Sequence, residues 1–275
     1  MKSHPRLTLV LFLLIVAVVG TVTATLQVKK QVGSPSPALQ KAEEDFYTVA
    51  DFAGPEPSDP QKRATRRLRE RRYNMPAQKG VDPKRFSITE ERESSFGGPP
   101  SHAPIEPALP AAQSDAVIIG EVVSAQAFLS EDQTTVMSEF SVQISDLLKE
   151  NLIAPFSVGD SLDVIRAGGG VRFPSGKIIR TGQHGKPLPK LGRRYLFFLK
   201  YNNDTGRDYT VVTAYELTAD RVLPLDGLSL VGTVVPAYAD YQKYKDSNAE
   251  NLLLNARDAI ARNLGAKPTR RESMR

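Results

Sequence analysis

The chain has 275 residues, with 36 lysines and arginines against 31 aspartates and glutamates, and it contains no cysteine. The lack of cysteine excludes disulfides, thiol catalysis and thiolate metal sites. Twelve of the 20 prolines fall between Gln31 and Ser114, so this part of the chain is predicted not to pack, and one folded domain is expected. Roughly 120 residues remain for it, enough for an ordinary hydrophobic core.

The first 30 residues have the pattern of an export signal or a membrane anchor. Lys2 and Arg6 precede an apolar run, Leu7–Val19, which is followed by small residues up to Ala24. Extended to Leu26, the run reaches the roughly 20 residues that span a bilayer. Two interpretations stay open: an uncleaved helix that anchors the protein to the cell membrane, or cleavage near Ala24 to give a secreted or periplasmic protein. Both predict an extracytoplasmic location.

The segment 31–113 is predicted to be a disordered, proline-rich linker. Its closely spaced prolines leave little room for helices, and its apolar residues show no sustained period. Such a coil has an r.m.s. reach of roughly 50 Å. A spacer of this length is useful to a protein held at a surface, so it favours the membrane anchor over cleavage.

A basic run lies inside this segment at residues 62–72, where seven lysines and arginines stand against a single acid, Glu70. Runs of this kind bind anionic surfaces such as lipid head groups, cell-wall polymers or nucleic acid. Export argues against nucleic acid as the partner. The alternative is a solvated spacer, and in either case the run is able to form a short helix up to Tyr73, because Pro76 follows soon after.

Strand patterns begin at Ser114. Ala116–Val123 is apolar around Gly120, where a strand can bend sharply, and Thr134–Leu148 contains alternating apolar and polar residues, so the two are predicted to form a hairpin. No helix-length segment separates the strands, which excludes parallel βαβ units and predicts an antiparallel sheet. Five to seven short strands are typical of a small barrel or sandwich. The other predicted strands are Ser161–Arg166, Lys177–Thr181, Leu191–Tyr201 and Asp208–Tyr215, with shorter extended segments at Val171–Phe173 and Arg221–Leu225.

The densest aromatic run outside the N-terminus, Leu191–Tyr201, is predicted to be the central strand. Its consecutive residues are apolar on both faces of an extended chain, so the strand must be covered on both sides. A helix is predicted further on, within residues 236–266. Ser247 and Glu250 form a capping box ahead of its apolar stripe, and Gly265 ends it. We expect this helix to pack on the barrel and to cover the outer face of the central strand.

Four segments between Ser114 and about Pro236 carry a resemblance to a known family. They are AVIIGEVV, SEFSVQISDLLKEN, VGDSLDVIRAGGG and PLPKLGRRYLFFLKY. In this order they resemble exported bacterial domains of the netrin-like and tissue-inhibitor-of-metalloproteinases type, which are OB-fold barrels. The resemblance implies a small five-stranded Greek-key barrel with a flanking helix. The metalloproteinase inhibitors of this type act through an N-terminal cysteine that this chain lacks, so inhibition and its residues do not carry over.

The sequence offers little for catalysis. Histidine occurs only at positions 4, 102 and 184, so no multi-histidine metal site is expected within the domain. A serine triad would need His184 as its base, and no nucleophile-elbow motif accompanies it. Phosphate-loop and dinucleotide-binding motifs are also missing. The adjacent acids Glu131 and Asp132 lie in a polar turn and are expected to be solvated. We therefore predict no enzyme, no metal and no cofactor.

Charge is distributed unevenly along the domain. Nine acids and one lysine lie between Asp115 and Asp163, whereas the stretch Val164–Asn203 has nine basic residues and no acid. The basic stretch is predicted to form an anion-binding surface, because OB-type barrels often bind extended polymers. The alternative is that it offsets the acidic hairpin across the sheet. The candidate binding residues are Arg166, Arg172, Lys177, Arg180, Arg193 and Arg194.

Two function classes stay open. The first is a surface-tethered, non-enzymatic binding module for an anionic envelope polymer or a partner protein. The second is a hydrolase or protease inhibitor whose active residues lie in loops. The predicted regions are the signal or anchor (1–30), the linker (31–113), the barrel (114–235), the helical segment (236–266) and a basic tail (267–275).

Overall fold

The computed structural model describes residues 48–73, 87–91, 94–99, 103–206, 208–229 and 231–265. The predicted signal or anchor and the predicted basic tail lie outside these residues. Within the described part of the chain, no helix is long and apolar enough to cross a membrane. In chain order the elements are β1 (Val49–Asp51), α1 (Pro60–Tyr73), β2 (Ser94–Gly97), β3 (Ala116–Leu129), β4 (Val136–Lys149), β5 (Ser161–Arg172), β6 (Ile178–Gln183), β7 (Arg194–Tyr201), β8 (Tyr209–Leu217), β9 (Val222–Pro224), a 3₁₀ helix (Pro236–Tyr244) and α2 (Ala249–Gly265).

Five strands close into a barrel in the order β3, β4, β5, β8, β7 and back to β3. The predicted first hairpin is confirmed, since β3 pairs antiparallel with β4 from Val117 to Leu129. Gly120 lies beside a shift in this register. A Cβ atom at Gly120 would lie 2.4 Å from Cγ1 of Val142, so only glycine lets the two strands approach this closely.

The prediction of an antiparallel sheet is wrong at the point where the barrel closes. There β5 and β8 pair in parallel, with Val164 opposite Tyr209. After β5 the chain forms β6 and crosses to β7, and the β7–β8 hairpin then returns β8 to β5 in the same direction. Two short strands are also added in parallel, β1 to β5 and β2 to β6. Parallel pairing is not predicted, because no helix-length segment connects the strands, but here strands and loops connect the parallel strands in place of a helix.

The central strand β7 separates two hydrophobic clusters. Tyr195, Phe197 and Leu199 point into the barrel. Leu196 and Phe198 point outwards and pack in a second cluster with residues of α2. All five side chains have 0% exposure. The prediction that this strand is covered on both faces is confirmed.

Helix α2 covers the outer face of β7, as the sequence predicts, but it begins with a different cap. The side chain of Asn248 accepts a hydrogen bond from the backbone N–H of Glu250 at 2.7 Å, which satisfies one of the free donors of the first turn. Ser247 instead donates to the carbonyl of Tyr244. The residues of α2 that are buried in the second cluster are Leu252, Ala256 and Ile260.

The prediction that residues 31–113 form a disordered linker does not hold for the parts of this segment that the structure describes. They contain β1, α1 and β2. Ile88 is 2% exposed and packs in a cluster with β1, β3 and β6, while Ala111 is 1% exposed and packs beside α2. The folded unit therefore extends well before Ser114. Ile88 and Ala111 give no periodic pattern because each is a single residue buried against other parts of the fold and not part of a regular apolar face.

Candidate anion-binding cleft

The basic run forms helix α1, and its bounds agree with the predicted end at Tyr73. The side chain of Asp59 accepts a hydrogen bond from the backbone N–H of Gln61 at 2.8 Å and so caps the first turn. Pro60 follows the cap, at a position where its missing N–H costs nothing. A helix this rich in charge has no apolar face to bury, so other contacts must hold it on the barrel.

Arg69 supplies the main contact between α1 and the barrel. Its Nε lies 2.5 Å from Oδ2 of Asp208, and its Nη1 lies 2.8 Å from Oε2 of Glu139. Arg69 is 4% exposed and Asp208 is 0% exposed. Burial lowers the pKa of Arg69, but Glu139 and Asp208 together outweigh this and raise it. The basic run is therefore tied to the barrel by a buried ionic network, which neither of the two predictions for it anticipated.

The acids of the β3–β4 hairpin and of the β7–β8 loop face α1. Nε of Arg67 lies 3.7 Å from Oε2 of Glu131, and both side chains are more than half exposed. Arg72 donates two hydrogen bonds to the carboxylate of Asp204. Two acids of the hairpin, Glu131 and Glu139, are thus paired with the basic helix. Asp115, just before β3, instead pairs with Lys200 of the basic stretch 164–203 at 2.9 Å.

A cleft of about 490 Å³ lies between α1, β1 and the tip of the β3–β4 hairpin. Ligand sites commonly have volumes of roughly 300–1,000 Å³. Its walls combine aromatic and aliphatic side chains with charged side chains of both signs. The apolar and proline side chains are Val49, Ala50, Phe52, Pro55, Pro57, Ala127, Phe128 and Leu129, and the charged ones are Asp51, Glu56, Arg63, Arg66, Arg67, Glu70 and Glu131.

Arg66 is the basic group of this cleft that has no ionic partner among the described residues. Its Cζ lies 4.5 Å from the centroid of the Phe128 ring, a cation–π contact. Burial lowers the pKa of Arg66, and Glu139 opposes that shift. No described carboxylate lies within ion-pair distance of its guanidinium, and no described group accepts a hydrogen bond from it. By contrast, Arg63 donates to two backbone carbonyls at 2.7 and 2.8 Å. Arg66 can therefore accept a planar anion from outside.

Glu70 lies one helical turn after Arg66 and also lines the cleft. Burial raises the pKa of Glu70; the backbone N–H of Glu131 opposes this rise, while the charges of Glu131 and Asp132 add to it. Glu70 therefore gains a proton at a higher pH than an exposed glutamate does. Its ionisation controls how much negative charge stands beside Arg66.

Arg166, the first of the residues predicted from the basic stretch, does not lie on a surface. It is 4% exposed, and its Nη2 lies 2.6 Å from Oδ1 of the fully buried Asp226. Burial raises the pKa of Asp226, and the guanidinium of Arg166 opposes this rise. Arg166 is therefore part of an internal ion pair that positions the segment after β9.

The other five predicted residues are divided between two places. Arg172, Lys177 and Arg180 belong to the β5–β6 hairpin, where Arg172 lies 3.7 Å from Oδ1 of Asp51. Lys177 donates to a backbone carbonyl at 2.5 Å, and Arg180 is half-buried. Arg193 and Arg194 are exposed at the start of β7. There Arg193 lies 3.7 Å from a carboxylate oxygen of β8, and Arg194 stands opposite a glutamate of β3. The register of the barrel thus does not gather the six residues into one site.

The structure places no catalytic group beside His184. The residue is half-buried, and its backbone N–H donates to the carbonyl of Gly97 at 2.7 Å. Among the described residues, nothing hydrogen-bonds to its imidazole, and no group of three metal-binding side chains is found.

The cleft combines segments that the sequence presents far apart, so no motif indicates it. One feature of the sequence does point to a contact between these segments. The chain contains a run of arginines with a single acid and also a hairpin rich in acids with a single lysine, and such segments attract each other. The basic run is predicted either to bind an external anionic surface or to stay solvated, whereas Arg67 and Arg69 contact Glu131 and Glu139 of the acidic hairpin. Neither a comparison with models of known protein families nor a search of curated proteins finds a match for this chain.

Proposed function

We propose that this protein is a non-enzymatic binding module that is held outside the cytoplasm by its N-terminal segment and binds an anionic group in the cleft beside Arg66. The observation that carries the proposal is the unpaired, half-buried guanidinium of Arg66 against Phe128. A guanidinium that is partly shielded from water gains from an anionic partner, and its planar fork binds carboxylate or phosphate through two hydrogen bonds.

The assignment of the domain to OB-like Greek-key barrels belongs to this proposal. Its support is the strand order, in which β3, β4 and β5 follow one another, β8 pairs with β5 in parallel and β7 returns to β3. In barrels of this type, ligands lie on the second and third strands and on nearby loops. The loop between the first two barrel strands supplies Glu131 to the cleft.

Export is supported by the order of charged, apolar and small residues in the first 30 positions. The test is fractionation of cells that express the full chain, followed by protease treatment of intact cells. An anchored, exported protein stays with the membrane fraction and loses its folded domain to external protease. Recovery of a protected protein in the soluble cytoplasmic fraction would refute this part of the proposal.

Anion binding is tested by titrating the full chain, in nanodiscs of neutral lipid, with acetate, inorganic phosphate, hexaglutamate and octanoate. The variants are Arg66→Gln and a control, Lys62→Gln, which removes the same charge from the same helix outside the cleft lining. A hydrogen bond to a charged group contributes about 1.5–3 kcal/mol, so Arg66→Gln is expected to weaken binding by about tenfold or more. Lys62→Gln should leave binding nearly unchanged. Failure of every anion to bind, or equal losses in both variants, would refute the site.

A further inference from the structure

The charges of the cleft restrict what kind of anion it accepts. Its lining holds three arginines, Arg63, Arg66 and Arg67, against four carboxylic acids, Asp51, Glu56, Glu70 and Glu131. Two of the arginines already have partners: Arg63 donates to backbone carbonyls, and Arg67 pairs with Glu131. Only one positive centre therefore awaits a ligand, and acids surround it. A polyanion would place its further charges against these acids, where like charges repel.

Part of the remaining lining is apolar, although polar groups make up the larger share of the cleft's surface. Phe128 is 4% exposed and supports Arg66, and Phe52 stacks on Phe173 with ring centroids 4.6 Å apart. Leu129 and the prolines Pro55 and Pro57 supply further accessible apolar surface, whereas Ala127 is 7% exposed and supplies little. Burial of aliphatic carbon on such a surface contributes favourably with each methylene removed from water. The cleft thus offers one anion-binding point beside an apolar wall.

We propose that the ligand of this cleft is an apolar monocarboxylate, an acyl chain or aromatic body with one carboxylate, and not a polyanionic polymer. The carboxylate accepts two hydrogen bonds from the guanidinium of Arg66, while the ring of Phe128 packs against the guanidinium. The apolar body lies against Phe52 and Leu129. This inference rests on the proposed anion site and names the substrate class for it.

The test compares octanoate with 1-octanol and hexaglutamate by calorimetry on the full chain in neutral-lipid nanodiscs, with empty nanodiscs as the blank. 1-Octanol has the same chain without charge, and hexaglutamate has the carboxylates without the chain. Octanoate should bind at one site per chain, and at least tenfold more tightly than either comparison compound. Arg66→Gln should weaken the binding of octanoate by about tenfold or more, while Lys62→Gln should change its Kd by less than about twofold.

Arg66→Lys provides a second variant that keeps the charge but loses the planar fork and the stacking on Phe128. This substitution should weaken the binding of octanoate severalfold. Circular dichroism would show whether each variant keeps the wild-type fold. Equal binding of 1-octanol and octanoate would overturn the inference, since the carboxylate would then contribute nothing. Tighter binding of hexaglutamate with dependence on Arg66 would also overturn it but would leave the proposed anion site standing. If no anion binds, both proposals fail.

Discussion

Replacing Arg69 by methionine should remove much of the free energy of unfolding that the barrel gains from its contact with helix α1. Methionine keeps the length of the aliphatic stem but removes the charge that faces Asp208 and Glu139. Asp208 has 0% exposure, and its remaining partners are the side chains of Asn202 and Thr205. Leaving a buried charge without its ionic partner costs about 3–5 kcal/mol. Domains of ordinary size have only about 5–15 kcal/mol of stability, so Arg69→Met should cause a large loss.

The matched control is Arg67→Met on the same helix. Arg67 and Glu131 lie 3.7 Å apart with side chains 56% and 67% exposed. Exposed pairs of this kind contribute about 0–1 kcal/mol, because water screens the charges and the side chains lose entropy. Urea unfolding of the full chain, monitored by circular dichroism, gives the free energy of unfolding of each variant. The two values can be compared if the free energy falls with urea concentration at the same slope in both variants.

A second substitution separates the charge effect from a packing effect. Adding Asp208→Asn to the Arg69→Met chain removes the unpaired buried charge and should recover part of the lost stability, whereas a packing defect would persist. If Arg69→Met costs less than 1 kcal/mol, as Arg67→Met should, then α1 is not held by this network. The disordered linker expected from the sequence would then be the better description of residues 60–73.

Three further predictions concern the core, the folded boundary and pH. Phe197→Ala should cost about 3–5 kcal/mol in the same urea assay, because the ring is 0% exposed inside the barrel; a cost below 1 kcal/mol would contradict the core assignment. A chain that begins at Ser114 loses α1 and the buried Ile88, so it should melt several degrees below the full chain, and an unchanged melting temperature would refute this. Octanoate should bind more tightly as pH falls toward the raised pKa of Glu70, in the range where the octanoate carboxylate is still ionised, because protonation of Glu70 removes a negative charge beside Arg66. The charges of Glu131 and Asp132 add to the rise in the pKa of Glu70, and Arg67 opposes it. Because Gln cannot ionise, Glu70→Gln should flatten the pH dependence of octanoate binding measured by calorimetry.

Local patterns were sufficient to locate most barrel strands because each signal lies within a few residues, but the two predicted segments Ser161–Arg166 and Val171–Phe173 are joined in the single strand β5. The alternation in the run after Leu191 predicts a strand that is covered on both faces, and Leu196 and Phe197 indeed lie in different clusters. The apolar stripe of α2 also predicts its buried face. Its cap was misassigned by one residue, since Ser247 and Asn248 are both good capping residues and only the backbone geometry distinguishes them.

The candidate site could not be obtained in the same way. Arg166 and Arg194 belong to one basic stretch of sequence, yet one is buried against Asp226 and the other is exposed on β7. Charge density along the chain does not report which side of the sheet a residue faces or how far from the core it lies. Arg66 is distinguished from its neighbours on α1 by its contact with Phe128, which is 62 positions further along the chain, and by the carboxylates that pair with Arg67 and Arg69 instead.

The sequence by itself determined the positions of most barrel strands and of the C-terminal helix, because side-chain period and turn residues act over a few positions. It also determined the total charge on each segment. Only the tertiary structure decided which segments meet: the parallel contact of β5 with β8, the docking of α1 by Arg69, and the cleft beside Arg66. The physical reason is that ion pairs and strand closure depend on distances between residues far apart in the chain. A basic helix is equally compatible with water, a lipid surface or an acidic barrel until the fold places Asp208 beside it.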